Sequence, residues 1–344
     1  MNPLGDVIDA LGVTSVWTYL ALFLAASLLM IWRLEALLDH GLEGTALGTL
    51  VMPYCSGLGN LFFVGIIFAR HGPVQEVLTN CLVNNVTNLT LVLGLPAVVA
   101  GLSLSAESKA GKGRGAKQSA GKKAKASAAE TIQRLNRLSL LLTLAAVLFF
   151  TGVTWMLGRD GTIDRNDGLV LMSAFFFWQC FQVFDVLKHN IRQRHSFSPM
   201  FYVDMLVVLI GAYGLYVSTD WLVSWLSAQP DGGFISAKHL GWLSGGLMVL
   251  PNALIAFYYA IRRRADIVYA SQVGDGHICI PLCLGLSAFM QPLAVPKFFD
   301  LSLAILGAAA VVHLVAVAAG GLPRWMGWPL LAAWAWFASA GLMG

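Results

Sequence analysis

A chain of 344 residues in which 57% are hydrophobic and only 12% charged is not an ordinary soluble domain, where charged residues run to about a quarter. Its apolar runs are helix-length, which excludes a membrane β-barrel built from alternating strands of roughly ten residues. The net charge of +4 does not imply a nucleic-acid partner, because the basic residues sort by membrane side, as a topology signal does.

In chain order, ten membrane helices are predicted, at 16–38, 44–69, 77–101, 138–158, 167–187, 200–226, 238–261, 267–292, 298–320 and 325–343. No Lys or Arg precedes the first run, and it is too long for the apolar core of a leader, so it is expected to be retained. With the N-terminus outside, the inner connections hold 17 Lys and Arg and the outer ones 5. That distribution follows the positive-inside rule. The expected location is a bacterial plasma membrane, with surrounding lipid as a partner. The organisation reads as a first half, 1–101, carrying spans 1–3; a basic linker, 102–137; spans 4–5 at 138–187; and a second half, 200–343, carrying spans 6–10. The linker is rich in Ala, Gly, Ser and Lys across 105–130 and lacks aromatics, the composition of a disordered cytoplasmic tether. It could also meet anionic headgroups at about 1 kcal/mol per basic residue near the surface. Trp17, Trp32, Trp221, Trp225, Trp242, Trp325 and Trp328 fall near span edges, as interfacial belts do. Asp185, Asp204 and Asp220 read as solvated interfacial carboxylates. The five cysteines, Cys55, Cys81, Cys180, Cys279 and Cys283, lie within spans and show neither a disulfide framework nor a zinc spacing.

The third span carries "LTNCLVNNVTNLTLVLG", with Asn80, Asn84, Asn85 and Asn88 inside an otherwise apolar helix. An unpartnered amide in hydrocarbon costs about 2–7 kcal/mol. The pattern recurs in the eighth span. Counted back from Gly94 and Gly285, Asn80 matches Ser271, Asn84 matches Asp275 and Asn88 matches Cys279. These positions are four apart, so each set stacks on one helix face. Upstream, Asn60 and Asn252 sit in Gly/Pro-containing helices and match after one residue of slip. The two repeats, about 46–101 and 238–292, have opposite orientation across the membrane. An inverted repeat with polar, broken helices is the architecture of a secondary transporter. Asp275, nine residues into its span, is a functional candidate because ionisable side chains inside membranes are costly. His277 lies about 200° around the helix from Asp275 and reads as a packing histidine. Pro281 removes the helical donor for the His277 carbonyl.

Arg70-His71-Gly72, Asn80, Asn85, Asn88 and Leu91-Val92-Leu93-Gly94 in the first repeat, with Pro251, Arg264, Gly274 and Leu284-Gly285-Leu286 in the second, give the chain its likeness to a known family. It resembles the sodium/calcium exchanger superfamily of cation antiporters. The resemblance implies an all-α membrane fold of ten helices in a five-plus-five inverted arrangement, alternating access, no cofactor, and inorganic cations as cargo. It also implies where ligands stand. The family's P-E-L glutamates have no carboxylate counterpart here: Asn252 follows Pro251, and Leu61 or Asn60 stands at the first position. The family's last ligand maps to Asn88 and Cys279, and its G-S-N serine to Asn84 and Asp275. Its T-S pair becomes Ser56-Gly57 or nearby residues. The expected cation pathway is therefore Asn60, Asn84, Asn88, Asn252, Asp275 and Cys279, with Ser56, Asn80, Asn85, Ser271 and His277 as secondary members. Two glutamates are gone and one aspartate has appeared. Ca²⁺ wants six to eight hard oxygens with enough negative charge, so this set suits Na⁺ or H⁺ better. Two other readings are a non-transporting scaffold or sensor on the same fold, and a transition-metal path through Asp275, Cys279 and Cys283, spaced i, i+4, i+8. No H-E-x-x-H, G-x-S-x-G or phosphate-binding loop points to an enzyme.

Overall fold

A computed structural model describes residues 3–39, 52–104, 120–190, 199–230 and 233–343. After a short helix, Pro3–Ala10, come α1 (Val16–Asp39), α2 (Met52–Ala69), α3 (Gln75–Ala100), α4 (Ala120–Leu157) and α5 (Arg165–Asn190). The second half holds α6 (Pro199–Ser227), α7 (Leu240–Ile261), α8 (Ala265–Met290), α9 (Phe299–Ala319) and α10 (Arg324–Met343). These fall on the ten predicted spans. Eight of them, all but α2 and α10, are long and apolar enough to cross a membrane, and α2 adds a shorter apolar stretch, Gly57–Ala69. The chain is an all-α integral membrane protein.

The linker differs from expectation. Residues 105–119 lie outside the described residues, but α4 begins at Ala120, so the rest of the expected disordered stretch is helical. Ala and Lys are strong helix formers, and an apolar helix already nucleated downstream extends into them at little cost.

The two halves are arranged about a pseudo-two-fold. Strand β1 (Leu102–Ser103) pairs antiparallel with β4 (Gly321–Leu322), and β2 (Thr162–Ile163) with β3 (Leu293–Ala294). Exchanging α1–α5 for α6–α10 converts one pair into the other. The first pair joins two connections that the charge count assigns to the inside, the second two that it assigns to the outside. Helix contacts obey the same exchange: α3 packs on α7 as α8 packs on α2, and the end of α3 meets α10 as the end of α8 meets α5. Helices α1 and α6 pair with each other, as do α4 and α9.

Helices α3 and α8 form the centre. In each, 78% of the spanning window is buried, against 28% in α5 and α6. Glycines set how closely their neighbours approach. A Cβ on Gly327 of α10 would lie 2.5 Å from the Gly94 carbonyl oxygen, and one on Gly168 of α5 would lie 2.6 Å from that of Gly285. The two glycines that anchor the sequence repeat are thus the crossing points where α3 and α8 touch their neighbours backbone to backbone, the usual close contact of membrane helices.

Asp204 corrects an expectation. It is fully buried, not solvated, and pairs with Arg33 of α1 at 3.1 Å, because the α1–α6 contact brings a cation to it. Arg70 grips Asp220 through two bonds of 2.7 Å at a more exposed place. The side chain of Asp185 lies outside the described residues. Trp17, Trp32, Trp325 and Trp328 are exposed as an interfacial belt requires. Trp221 instead stacks on Tyr19, and Trp242 packs on Phe337.

The glycine crossings predict a sharp contrast. Gly168→Ala and Gly327→Ala, which push a methyl into backbone, are expected to destabilise by about 1–3 kcal/mol, read as a lower thermal midpoint in detergent. Gly152→Ala, where a Cβ meets nothing within 4 Å, is expected to be neutral or slightly stabilising.

Candidate functional site

The polar stripe of α3 and that of α8 end where both helices change character. Helix α3 passes into a π-turn over Asn88–Val92, and α8 does so over Cys279–Leu284. The turns start at matched positions, Asn88 and Cys279, six residues before Gly94 and Gly285. Their causes differ. Pro281 has no N–H to give the His277 carbonyl. At the matched place in α3, Thr90 turns its hydroxyl back to the Val86 carbonyl at 2.5 Å, a bond that bends helices. In the α3 turn, the Leu93 N–H goes to the Thr90 oxygen, and the Leu89 carbonyl accepts from His313 Nε2 of α9 at 2.7 Å. Nε2 therefore carries a proton. Tyr269 Oη of α8 lies 3.3 Å from the other ring nitrogen. Single-turn π-bulges recur at functional sites.

Between the two turns lies Asp275, fully buried. Asn88 Nδ2 donates to its Oδ2 at 2.8 Å and Asn252 Nδ2 does so at 3.4 Å. The Cys279 thiol donates to its Oδ1 at 3.7 Å. Asn84 Oδ1 accepts from Asn88 Nδ2 at 2.9 Å and from the Cys279 thiol at 3.8 Å. Asn84 Nδ2 reaches Asn60 Oδ1 at 3.4 Å. The connectivity follows the pseudo-two-fold. Asn88 to Asp275 is the mate of Cys279 to Asn84. Asn84 with Asn88 is the mate of Asp275 with Cys279, and Asn84 with Asn60 the mate of Asp275 with Asn252. All six expected pathway residues meet here, and each is buried. Among the described residues no Lys or Arg pairs with Asp275. The centre thus holds one carboxylate and several amide oxygens. Asn88 spends both its amide hydrogens, leaving Oδ1 buried with no donor among the described residues.

The secondary residues disperse. Asn80 donates to Ser244 Oγ of α7 at 2.9 Å, a turn away from the cluster. Asn85 Nδ2 returns to the Cys81 carbonyl at 2.7 Å, and Ser271 Oγ to that of Val268 at 3.1 Å. His277 stands apart from the cluster. It bonds the Thr143 carbonyl of α4 at 3.1 Å and stacks on Trp178 of α5, because two residues carry it to the far side of α8 from Asp275. The side chains of Ser56 and Cys55 lie outside the described residues. The transition-metal set does not assemble: no group of three or more His, Cys, Asp or Glu among the described residues could hold a metal ion. The π-turn beginning at Cys279 takes Cys283 out of α-helical register with Asp275.

Three residues at or beside the cluster were not singled out from the sequence. Gln272 is buried and bonds both Asn252 and Ser271. Its position, three before Asp275, was the available signal. His313 and Tyr269 carried none beyond being lone polar groups in apolar helices.

The family described as sodium/calcium exchanger protein matches residues 11–184, about half of the 344. Structures of the sodium-calcium exchanger NCX_Mj share the fold. The form soaked with 10 mM Na⁺ and zero Ca²⁺ is 18% identical, covering 94% of this chain and 98% of that one at a TM-score of 0.66. The form soaked with 2.5 mM Na⁺ and 10 mM Sr²⁺ is 17% identical, covering 94% and 96% at 0.66. The comparison with curated proteins gave no match.

The cluster predicts a signed double-mutant cycle. Asn88→Leu strips a donor from a buried carboxylate and is expected to cost about 1–3 kcal/mol. Adding Asp275→Leu removes the group left unpaired, so the pair is expected to cost less than the sum of the two single changes, measured by thermal unfolding.

Proposed function

The chain belongs to the sodium/calcium exchanger protein family, a family of cation antiporters, and on that footing we propose that it exchanges a monovalent cation, Na⁺ or H⁺, by alternating access between its inverted halves. One observation carries this reading: the buried centre has a single carboxylate, Asp275, held by donors from both halves. Ca²⁺ is bound by six to eight hard oxygens with two or more negative charges among them in ordinary sites. Here the positions matching the family's glutamates carry Asn252 and Asn60 or Leu61, and one charge balances one monovalent ion. The donor-free Asn88 Oδ1 supplies a neutral oxygen beside that charge.

In this mechanism Asp275 binds either the cation or a proton. Asn88, Asn84 and Asn252 turn amide oxygens to the cation when it displaces their hydrogen bonds. The Asn88–Asp275 and Asn84–Cys279 contacts cross between halves, so they strain together when one half moves against the other. That gives cation binding a differential grip on two conformations, without which no ligand shifts an equilibrium. The N-terminus faces outward and the basic linker lies in the cytoplasm, as the 17 to 5 distribution of Lys and Arg supports.

Purified protein in proteoliposomes, offered gradients of Na⁺, K⁺, Ca²⁺ and protons one at a time, tests the proposal. The expected outcome is monovalent or proton flux exceeding Ca²⁺ flux. Asp275→Asn is expected to abolish coupling to a pH gradient. Folded protein that moves none of these ions would overturn the proposal and favour the scaffold reading, in which residues 106–128 become the essential element.

A further inference from the structure

Gln272 lies on α8 three residues before Asp275, about 4.5 Å along the axis and on the adjoining part of the same face. Its side chain is 1% exposed. Both amide hydrogens are committed: Nε2 donates to the Asn252 carbonyl at 3.1 Å and to Ser271 Oγ at 3.0 Å. These bonds fix which way the amide faces. Reversed, Oε1 would stand against the Asn252 carbonyl, two acceptors with no proton between them. Oε1 is therefore held as an acceptor, and no donor among the described residues meets it. Asn252 joins it to the centre, since its carbonyl receives Gln272 and its side chain donates to Asp275 Oδ2 at 3.4 Å. Asn252 in turn borders a crevice between α1, α2, α6 and α7, lined by Phe23, Ser27, Gly59 and Met248.

A desolvated oxygen that accepts, cannot reorient and has no proton donor is the ligand type that hard cations take. We infer that Gln272 is a cation ligand, its Oε1 forming an oxygen step beside Asp275 toward the N-terminal end of α8. This rests on the reading that the Asp275 centre carries a cation. Gln272 adds coordination without charge, so it raises affinity for an ion of charge one without recruiting a divalent. Asn88 of α3 likewise spends both amide hydrogens and keeps an Oδ1 that meets no donor among the described residues.

The test is the thermal midpoint of purified full-length protein titrated with NaCl at constant ionic strength, choline chloride making up the balance. Two quantities are read: the midpoint without Na⁺, and the Na⁺ concentration giving half the stabilisation. Gln272→Met keeps the length and removes the oxygen; Gln272→Asn keeps the amide and withdraws it by one methylene. Both variants are expected to need about tenfold more Na⁺, the scale of losing one contact to a charged group. If a variant lowers only the Na⁺-free midpoint and leaves the half-effect concentration unchanged, Gln272 is a structural amide and the inference is overturned. Should the Met variant not fold, the Asn variant decides. A wild-type response lost in Asp275→Asn but intact in both Gln272 variants overturns this inference alone. A wild type with no Na⁺ response overturns this inference and removes Na⁺ as the proposed cargo, leaving the proton reading to the flux measurement.

Discussion

A carboxylate inside a bilayer has to be surrounded by hydrogen-bond donors, and everything near the centre of this protein follows from meeting that demand. Asp275 takes one donor from α3, one from α7 and a weak one from its own helix. A buried charge without partners is among the most expensive features a fold can carry. The partners here come from both halves of the chain, so the charge that needs satisfying is also what ties the halves together. The glycine crossings serve it by letting the other helices close tightly around α3 and α8. The π-turns serve it by ending the two stripes at Asn88 and Cys279, where they meet.

The arrangement is symmetric in its bonds and asymmetric in its chemistry. Each contact in the cluster has a two-fold mate, yet Asn84 is matched by Asp275 and Asn88 by Cys279. The scaffold could hold a charge in either half and holds it only in the second. The π-turns show the same economy of form with different means: Pro281 withholds a backbone donor, while Thr90 diverts a carbonyl with its hydroxyl and His313 takes up the next one released. Under the proposed function, two halves with equivalent geometry and unequal charge exchange conformations while the cation stays beside one fixed carboxylate, which is what alternating access about a central site requires.

Much of this was legible in the sequence, for physical reasons that mark where legibility stops. The spans could be read because hydrocarbon imposes long apolar runs. The register could be read because Asn80, Asn84 and Asn88 repeat every four residues ahead of Gly94, as their partners do ahead of Gly285. What escaped depended on contacts between distant elements. Gln272 matters only because Asn252 sits across from it. Asp204 is buried only because α1 brings Arg33 to it. His313 acquires a role only where α9 crosses the turn in α3. His277, placed among the secondary residues, belongs to the α4–α5 side of α8 instead. The helical start of α4 at Ala120 escaped because composition reports solubility of a segment better than its propensity to extend a neighbouring helix.

The central claim is that one carboxylate makes this a site for an ion of single charge. Direct binding of radioactive sodium and of radioactive calcium to detergent-purified protein, each competed by the other and by protons, tests it at the site itself. The account predicts saturable sodium binding that is displaced by protons, is lost in Asp275→Asn, and is barely affected by calcium. Tight calcium binding that sodium and protons fail to displace would contradict it.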